Sequence, residues 1–226
     1  MTFFLSFAAV FAVLDWFAVA TNQRRLEYVA KPATMLGLIL WFATLLPAVP
    51  TAASTWFLLG MGLFLTGDFF FMLPPVNFIK GLFVFLLGHI AYIVALNLPQ
   101  PILHPLSLVF LAVIGASTLF LISRIPRTLH AHKQGELIGP VIAYTVVLGL
   151  TFFSTLSTFL RVAWPAHAAV LAAIGGGLCV LADSMLAWNG YVKPIPNGRL
   201  LTTITYHLSQ FFLATSFLLF LDLIAL

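Results

Sequence analysis

Asp68 and Asp183 are the residues best placed to do chemistry in this 226-residue chain, because each interrupts a long apolar run. An ionisable group in such a run is costly unless it faces a protein interior or a watery cavity. Two carboxyl groups that share one apolar pocket divide their work: one keeps a proton and the other stays ionised. That is the pair general acid–base catalysis needs. Small residues flank both (Gly67 beside Asp68; Ala182 and Ser184 around Asp183) and allow close approach. The competing reading is structural, with each aspartate bonded to a Ser, Thr or Tyr of a neighbouring helix.

Other polar residues fall at helical spacings. His89 and Tyr92 are three apart and share a helix face, with Asp68 on the adjoining span as the expected partner of His89. Tyr206 and Gln210 are four apart and share a face, whereas His207 points about 100° away from Tyr206. Tyr206 is therefore the one expected to face the site. Lys31, next to Pro32, is expected to open a helix at headgroup level, either reaching for the interface or clamping a lipid phosphate. Glu136 and Tyr144 open a later span from the same side, and Asn189 either caps its helix or lines a cavity mouth. Asp68, His89, Asp183 and His207 carry ligand-type atoms, but no H-x-x-x-H pair accompanies them, so no metal is expected. Phosphate loops, G-x-S-x-G and Ser-His-Asp patterns are absent.

Positioning these groups requires a bundle of membrane helices. The chain is 62% hydrophobic and 7% charged, with a mean hydropathy of +1.11. A soluble domain carries about 25% charged residues, so this chain cannot coat a water-facing surface of its size. The net charge of +4 is read as membrane orientation and not as nucleic-acid binding. Cys179, the one cysteine, lies in an apolar run and reads as a packed thiol. The 23 phenylalanines read as packing or lipid-facing rings.

A helix of about 20 apolar residues crosses the hydrocarbon core. That length predicts one all-α domain over 1–226 with eight spans: 3–20, 33–49, 54–73, 78–97, 103–123, 138–159, 166–188 and 200–223. Ala18-Val19-Ala20 resembles a leader cleavage site, but no Lys or Arg precedes the run and Asp15 interrupts it, so 3–20 reads as a span. The spans are punctuated by Pro74-Pro75, Pro99-Gln100-Pro101 and similar turn-formers. Odd-numbered loops hold Arg24, Arg25, Lys31, Lys80, Arg124, Arg127, Lys133, Lys193 and Arg199, while even-numbered loops hold only Arg161. Both termini are therefore expected outside. Most buried polar residues then fall in the cytoplasmic half, as a cavity opening to that leaflet would require. Gly62 to Asp68 and Gly177 to Asp183 also share a six-residue step, a faint echo of a duplicated hairpin.

Four runs carry a family resemblance: G-D-F-F-F-M-L (67–73), G-L-F-V-F-L-L-G-H-I-A-Y (81–92), L-A-D-S-M-L-A-W-N (181–189) and T-Y-H-L-S-Q (205–210), with K-P at 31–32. Their order and spacing resemble the YhhN-type lysoplasmalogenase family. The resemblance implies an eight-helix enzyme of a bacterial inner membrane, without a cofactor, that hydrolyses the vinyl ether of lysoplasmalogens to a fatty aldehyde and a glycerophosphodiester headgroup. Carried over by motif, it implicates Asp68, Asp183 and His89 in catalysis. It implicates Lys31, Tyr92, Asn189, Tyr206 and Gln210 in binding, beside Tyr144 from the depth argument. The family often has a second aromatic where this chain has His207. Vinyl ethers hydrolyse through an oxocarbenium ion, the intermediate type that glycosidases manage with two carboxylates. Asp183 as donor, with Asp68 as an anion oriented by His89, is one assignment; the reverse is equally compatible.

The same aspartates could instead serve a transporter as a proton relay, although no span is broken at its midplane by a Gly-Pro pair. An intramembrane aspartyl protease fits worse: Leu65 stands where G-x-G-D needs glycine. A non-catalytic lipid sensor is a further alternative. Aldehyde release, substrate flux and simple binding separate these classes.

Overall fold

The computed structural model describes residues 2–73, 77–98, 104–131 and 134–225. They form eight α-helices: α1 (Thr2–Ala20), α2 (Arg24–Leu45), α3 (Ala52–Met72), α4 (Phe78–Asn97), α5 (Pro105–Ala131), α6 (Ile138–Ser157), α7 (Ala166–Tyr191) and α8 (Gly198–Phe220). Short 3₁₀ turns precede and follow α6. The expected turn at Pro74-Pro75, the Pro99-Gln100-Pro101 loop and Lys133 lie outside the described residues.

Local chemistry sets several boundaries. The Thr51 hydroxyl accepts from the Ser54 N–H at 3.1 Å and caps α3. Asn22, before α2, and Asn197, before α8, adopt φ of 56° and 54°; asparagine tolerates this left-handed region better than most residues. Two expected boundaries move. α2 begins at Arg24, so Lys31 and Pro32 lie inside it and do not open it. Its early turns are held from outside: Arg199 donates to both Glu27 carboxylate oxygens at 2.8 Å, and Tyr28 donates to the Met72 carbonyl at 2.8 Å. Those contacts, with a proline φ that already suits a helix, outweigh the lost N–H. α5 runs on through Arg124, Pro126 and Arg127 to Ala131, so these basic residues are helical and not in a loop.

Seven of the helices, all but α8, are long and apolar enough to cross a membrane. The chain is an all-α, multi-pass integral membrane protein. α8 has the length, at 23 residues, but carries polar side chains. Tyr206, His207, Ser209 and Gln210 are all buried, so its polarity faces the protein and not the lipid. Three hairpins, α1–α2, α3–α4 and α7–α8, pack along their lengths, and α6 joins α4 to α7. α8 returns to α1 and α2 and closes the ring; α5 lies outside it against α6. The α3–α4 contact depends on Gly60 and Gly67. A Cβ on either would collide with the ring of Tyr92 or Phe85, so the aromatic rings seat against bare backbone.

Candidate active site

Six helices deliver side chains to one end of the ring. Asp68 comes from the last turns of α3 and Asp183 from the C-terminal third of α7. Lys31, Tyr144 and Tyr206 come from the opening turns of α2, α6 and α8, and His89 from the middle of α4. Asp68 and Asp183 line the same cavity of about 50 Å³, together with Lys31, Tyr206, Phe85 and Leu186. That volume holds a water or two.

The two carboxylates have different partners. Asp68 is fully buried. Its Oδ1 lies 3.0 Å from the Lys31 ammonium, and its Oδ2 accepts from the Tyr206 hydroxyl at 2.9 Å. The Lys31 Nζ also sits 5.5 Å from the centre of the Tyr206 ring, a cation–π contact that helps keep it inward. Lys31 therefore does not reach for the interface. The Glu27–Arg199 and Tyr28–Met72 contacts pin the start of α2 against α8 and α3, and Lys31 follows one turn later on the inner face.

Asp183 belongs to a second set. Its Oδ2 accepts from the Tyr144 hydroxyl at 2.6 Å and lies 3.2 Å from His89 Nε2. The Thr151 hydroxyl donates to the Val147 carbonyl at 3.0 Å and lies 3.3 Å from His89 Nδ1. With its one hydrogen used, Thr151 accepts from Nδ1–H. Nε2 then turns a lone pair toward Asp183 Oδ2 and toward the Tyr144 hydroxyl, 3.1 Å away, so imidazole, phenol and carboxyl meet at one point. His89, Tyr144 and Asp183 thus form one hydrogen-bonded group, with Asp183 at the cavity wall.

His89 was expected beside Asp68; it faces Asp183 instead. The reason is packing. The Phe64 ring of α3 meets the His89 ring edge-on at 5.0 Å and the Phe85 ring at 5.0 Å. These rings fill the space between α3 and α4, and the imidazole turns toward α6 and α7.

The remaining expected residues spread out. Tyr92 donates to the Gln210 side-chain carbonyl at 2.6 Å, and both are fully buried without lining the cavity. Among the described residues, Gln210 Nε2 has no hydrogen-bond partner. Asn189 accepts from the Ile195 N–H at 2.7 Å and braces the α7–α8 connection. It lines a second cavity, of about 390 Å³, with Asn22, Asn197 and Arg199. His207 faces α1, where it accepts from Trp16 Nε1 at 3.1 Å and lies 3.8 Å from the buried Asp15 carboxylate.

Thr151 escaped the sequence reading, and Cys179 was read there only as a packed thiol. Thr151 follows Tyr144 by seven residues and Cys179 precedes Asp183 by four, spacings that keep each pair on one helix face. Among the described residues, the ligand-type atoms that converge are those of His89, Cys179 and Asp183, all within 4.8 Å of one another. Asp68 and His207, also weighed as ligands, are not in this group.

The profile of the YhhN family matches residues 26–217, from the first turn of α2 to near the end of α8. The chain belongs to the YhhN family. The matched stretch of this YhhN protein contains every side chain named on the cavity wall. The chain is 27% identical over 187 residues to the lysoplasmalogenase TMEM86B of Rattus norvegicus, spanning 82% of this chain and 70% of that protein. It is 26% identical to the Mus musculus protein of that name, over 82% of this chain and 72% of that one. For the Sus scrofa protein the figures are 28%, 63% and 54%. No solved structure matches the chain. Likeness to these hydrolases, with a buried His–Asp cluster facing a second aspartate, suggests a hydrolytic role.

Proposed function

We propose that the protein hydrolyses the vinyl ether of lysoplasmalogens, with Asp183 as the proton donor and Asp68 as the stabilising anion. The observation that carries this reading is the unlike surroundings of two aspartates on one cavity. Asp68 is paired with an ammonium and a phenol, whereas Asp183 is paired with an imidazole and a phenol. Environments that drive two carboxyls apart assign the acid and the base.

The proton held at Asp183 goes to the alkenyl carbon beta to the ether oxygen. The other alkenyl carbon and the oxygen become an oxocarbenium ion, which the Asp68 carboxylate opposes. Cavity water adds to that carbon and returns a proton to the Asp183–His89 pair, with Tyr144 donating to the carboxylate in between. The hemiacetal then collapses to a fatty aldehyde and the glycerophospho-alcohol. One water is consumed and no cofactor is needed. The cavity holds water and not an alkenyl chain, so Phe71, Phe85 and Leu186 at its wall must shift to admit the lipid. Lys31 has three N–H donors; it serves Asp68 first and can meet a headgroup phosphate with what remains. Tyr92 and Gln210 support the wall from beneath, and Asn189 braces the α7–α8 connection beside the second cavity.

The topology follows the same reading. The single domain crosses a bacterial inner membrane eight times with both termini outside, and the cavity opens to the inner leaflet. The test is aldehyde release from lysoplasmalogen by purified protein, for wild type, Asp68→Asn and Asp183→Asn. Removal of a general acid costs about 10²–10⁴-fold in rate. Folded wild-type protein that releases no aldehyde ends the proposal.

A further inference from the structure

We infer that His89, Cys179 and Asp183 form a transition-metal site, of a kind that zinc fills, in the place the catalytic proton occupies. Three features support it. The three donor atoms lie within 4.8 Å of one another, and His89 Nε2 and Asp183 Oδ2 are already 3.2 Å apart. Tetrahedral zinc sites put such atoms about 3.4–3.6 Å apart, from metal–ligand distances near 2.0–2.3 Å. Side-chain shifts of about 1 Å are enough, and the Tyr144 hydroxyl, 3.1 Å from His89 Nε2 and 2.6 Å from Asp183 Oδ2, is placed to be the fourth ligand.

The donor set is also the right chemistry. Thr151 at Nδ1 leaves Nε2 with the lone pair that a metal takes, and a hydrogen bond on the far nitrogen is the usual way a metal-binding imidazole is oriented. A thiolate and an imidazole suit zinc or cobalt better than magnesium or calcium.

Charge is the third feature. All three residues are buried among apolar helices, where a net charge is costly. A divalent ion with one thiolate, one carboxylate and a neutral imidazole sums to zero. Binding displaces the Cys179 thiol proton and the donor proton of Asp183, both of which leave to solvent. Asp183 lines the cavity, which supplies a path. The same two lone pairs cannot hold a proton and a metal ion together, so metal and catalytic proton exclude each other. Binding stands on geometry alone; the expected inhibition rests on the donor role proposed above for Asp183.

Cobalt makes the site visible. Co²⁺ bound by a thiolate absorbs in the near ultraviolet, and this chain has one cysteine, so any such band reports Cys179. Titration of detergent-purified protein is expected to give a band that saturates near one equivalent, disappears on adding Zn²⁺ and is absent from Cys179→Ser. His89→Gln, the second variant, is expected to weaken Co²⁺ binding at least tenfold. Elution as a single species checks folding of both. Zn²⁺ is expected to inhibit aldehyde release by wild type at least tenfold more strongly than by Cys179→Ser, which keeps its basal rate. No band in the folded wild type, or unchanged Co²⁺ affinity in both variants, overturns the site. A band without inhibition supports the site and overturns the donor role of Asp183 instead.

Discussion

The two ends of the helical ring are built on opposite principles. At one end, Lys31, Asp68, His89, Tyr144, Asp183 and Tyr206 meet through hydrogen bonds and ion pairs around a cavity. At the other, the same helices are joined by stacked rings. Phe57 lies 4.4 Å from Tyr92, 4.5 Å from Phe217 and 5.0 Å from Phe42, centre to centre, and Trp164 stacks on Phe220 at 4.3 Å. Within a bilayer, burial gains little from the hydrophobic effect, so close packing has to hold helices together. The aromatic end does this, and the polar end is thereby free to hold buried acids, their partners and a small cavity.

Arg161 marks the aromatic end. Its guanidinium donates to the Leu96 carbonyl and, at 2.6 Å, to the Asn97 side chain, closing the C-terminus of α4. Burial lowers its pKa to about 10, so it remains charged at neutral pH. Asn97 in turn donates to the Ser154 hydroxyl of α6 at 2.9 Å. The one basic residue that broke the charge pattern of the loops is thus part of a helix cap.

Substitutions at the two ends should separate function from stability. Asp183→Asn and Asp68→Asn are expected to cut aldehyde release by about 10²–10⁴-fold; Asp183→Asn should leave the detergent melting temperature near wild type, whereas Asp68→Asn also lowers it because Lys31 loses its buried counter-charge. Phe57→Ala should do the reverse. It leaves a cavity among three rings and costs about 2–4 kcal/mol of stability, read by thermal or denaturant unfolding, with the rate per folded molecule retained. If Phe57→Ala abolished activity in protein still folded, the division between the ends would fail.

Arg161→Ala strips two acceptors of their donor and is expected to cost about 1–3 kcal/mol, again without a change in rate per folded molecule. Lys31→Met sharpens the contrast from the other side. It leaves Asp68 buried without its cation, and its rate loss should exceed its stability loss; equal losses would make Lys31 a structural residue. Asn189→Ala is expected to have the smallest effect, about 1 kcal/mol, since one backbone N–H loses its acceptor.

The general architecture was legible from the chain. Apolar runs near 20 residues, broken by prolines and polar clusters, mark where the helices lie, because the bilayer demands that length and punishes exposed backbone. The start of α2 was misplaced because Lys31-Pro32 was read as a helix opening, and the end of α5 because Arg124 and Arg127 were read as loop residues. In the structure, contacts from α3 and α8 hold the first turns of α2 past Pro32. The pairing of His89 was misjudged because spacing orders residues along one helix and says nothing of which neighbour fills the gap beside it.

Residue types and their periodicity determined by themselves that this is a helical membrane protein with acids buried on inward faces, since each requirement acts along a single segment. Which acid meets which partner was decided by tertiary structure alone. Asp68 with Lys31, and Asp183 with His89 and Tyr144, are contacts between different helices. Such contacts depend on how rings and glycines seat one helix against the next, and no local pattern encodes that.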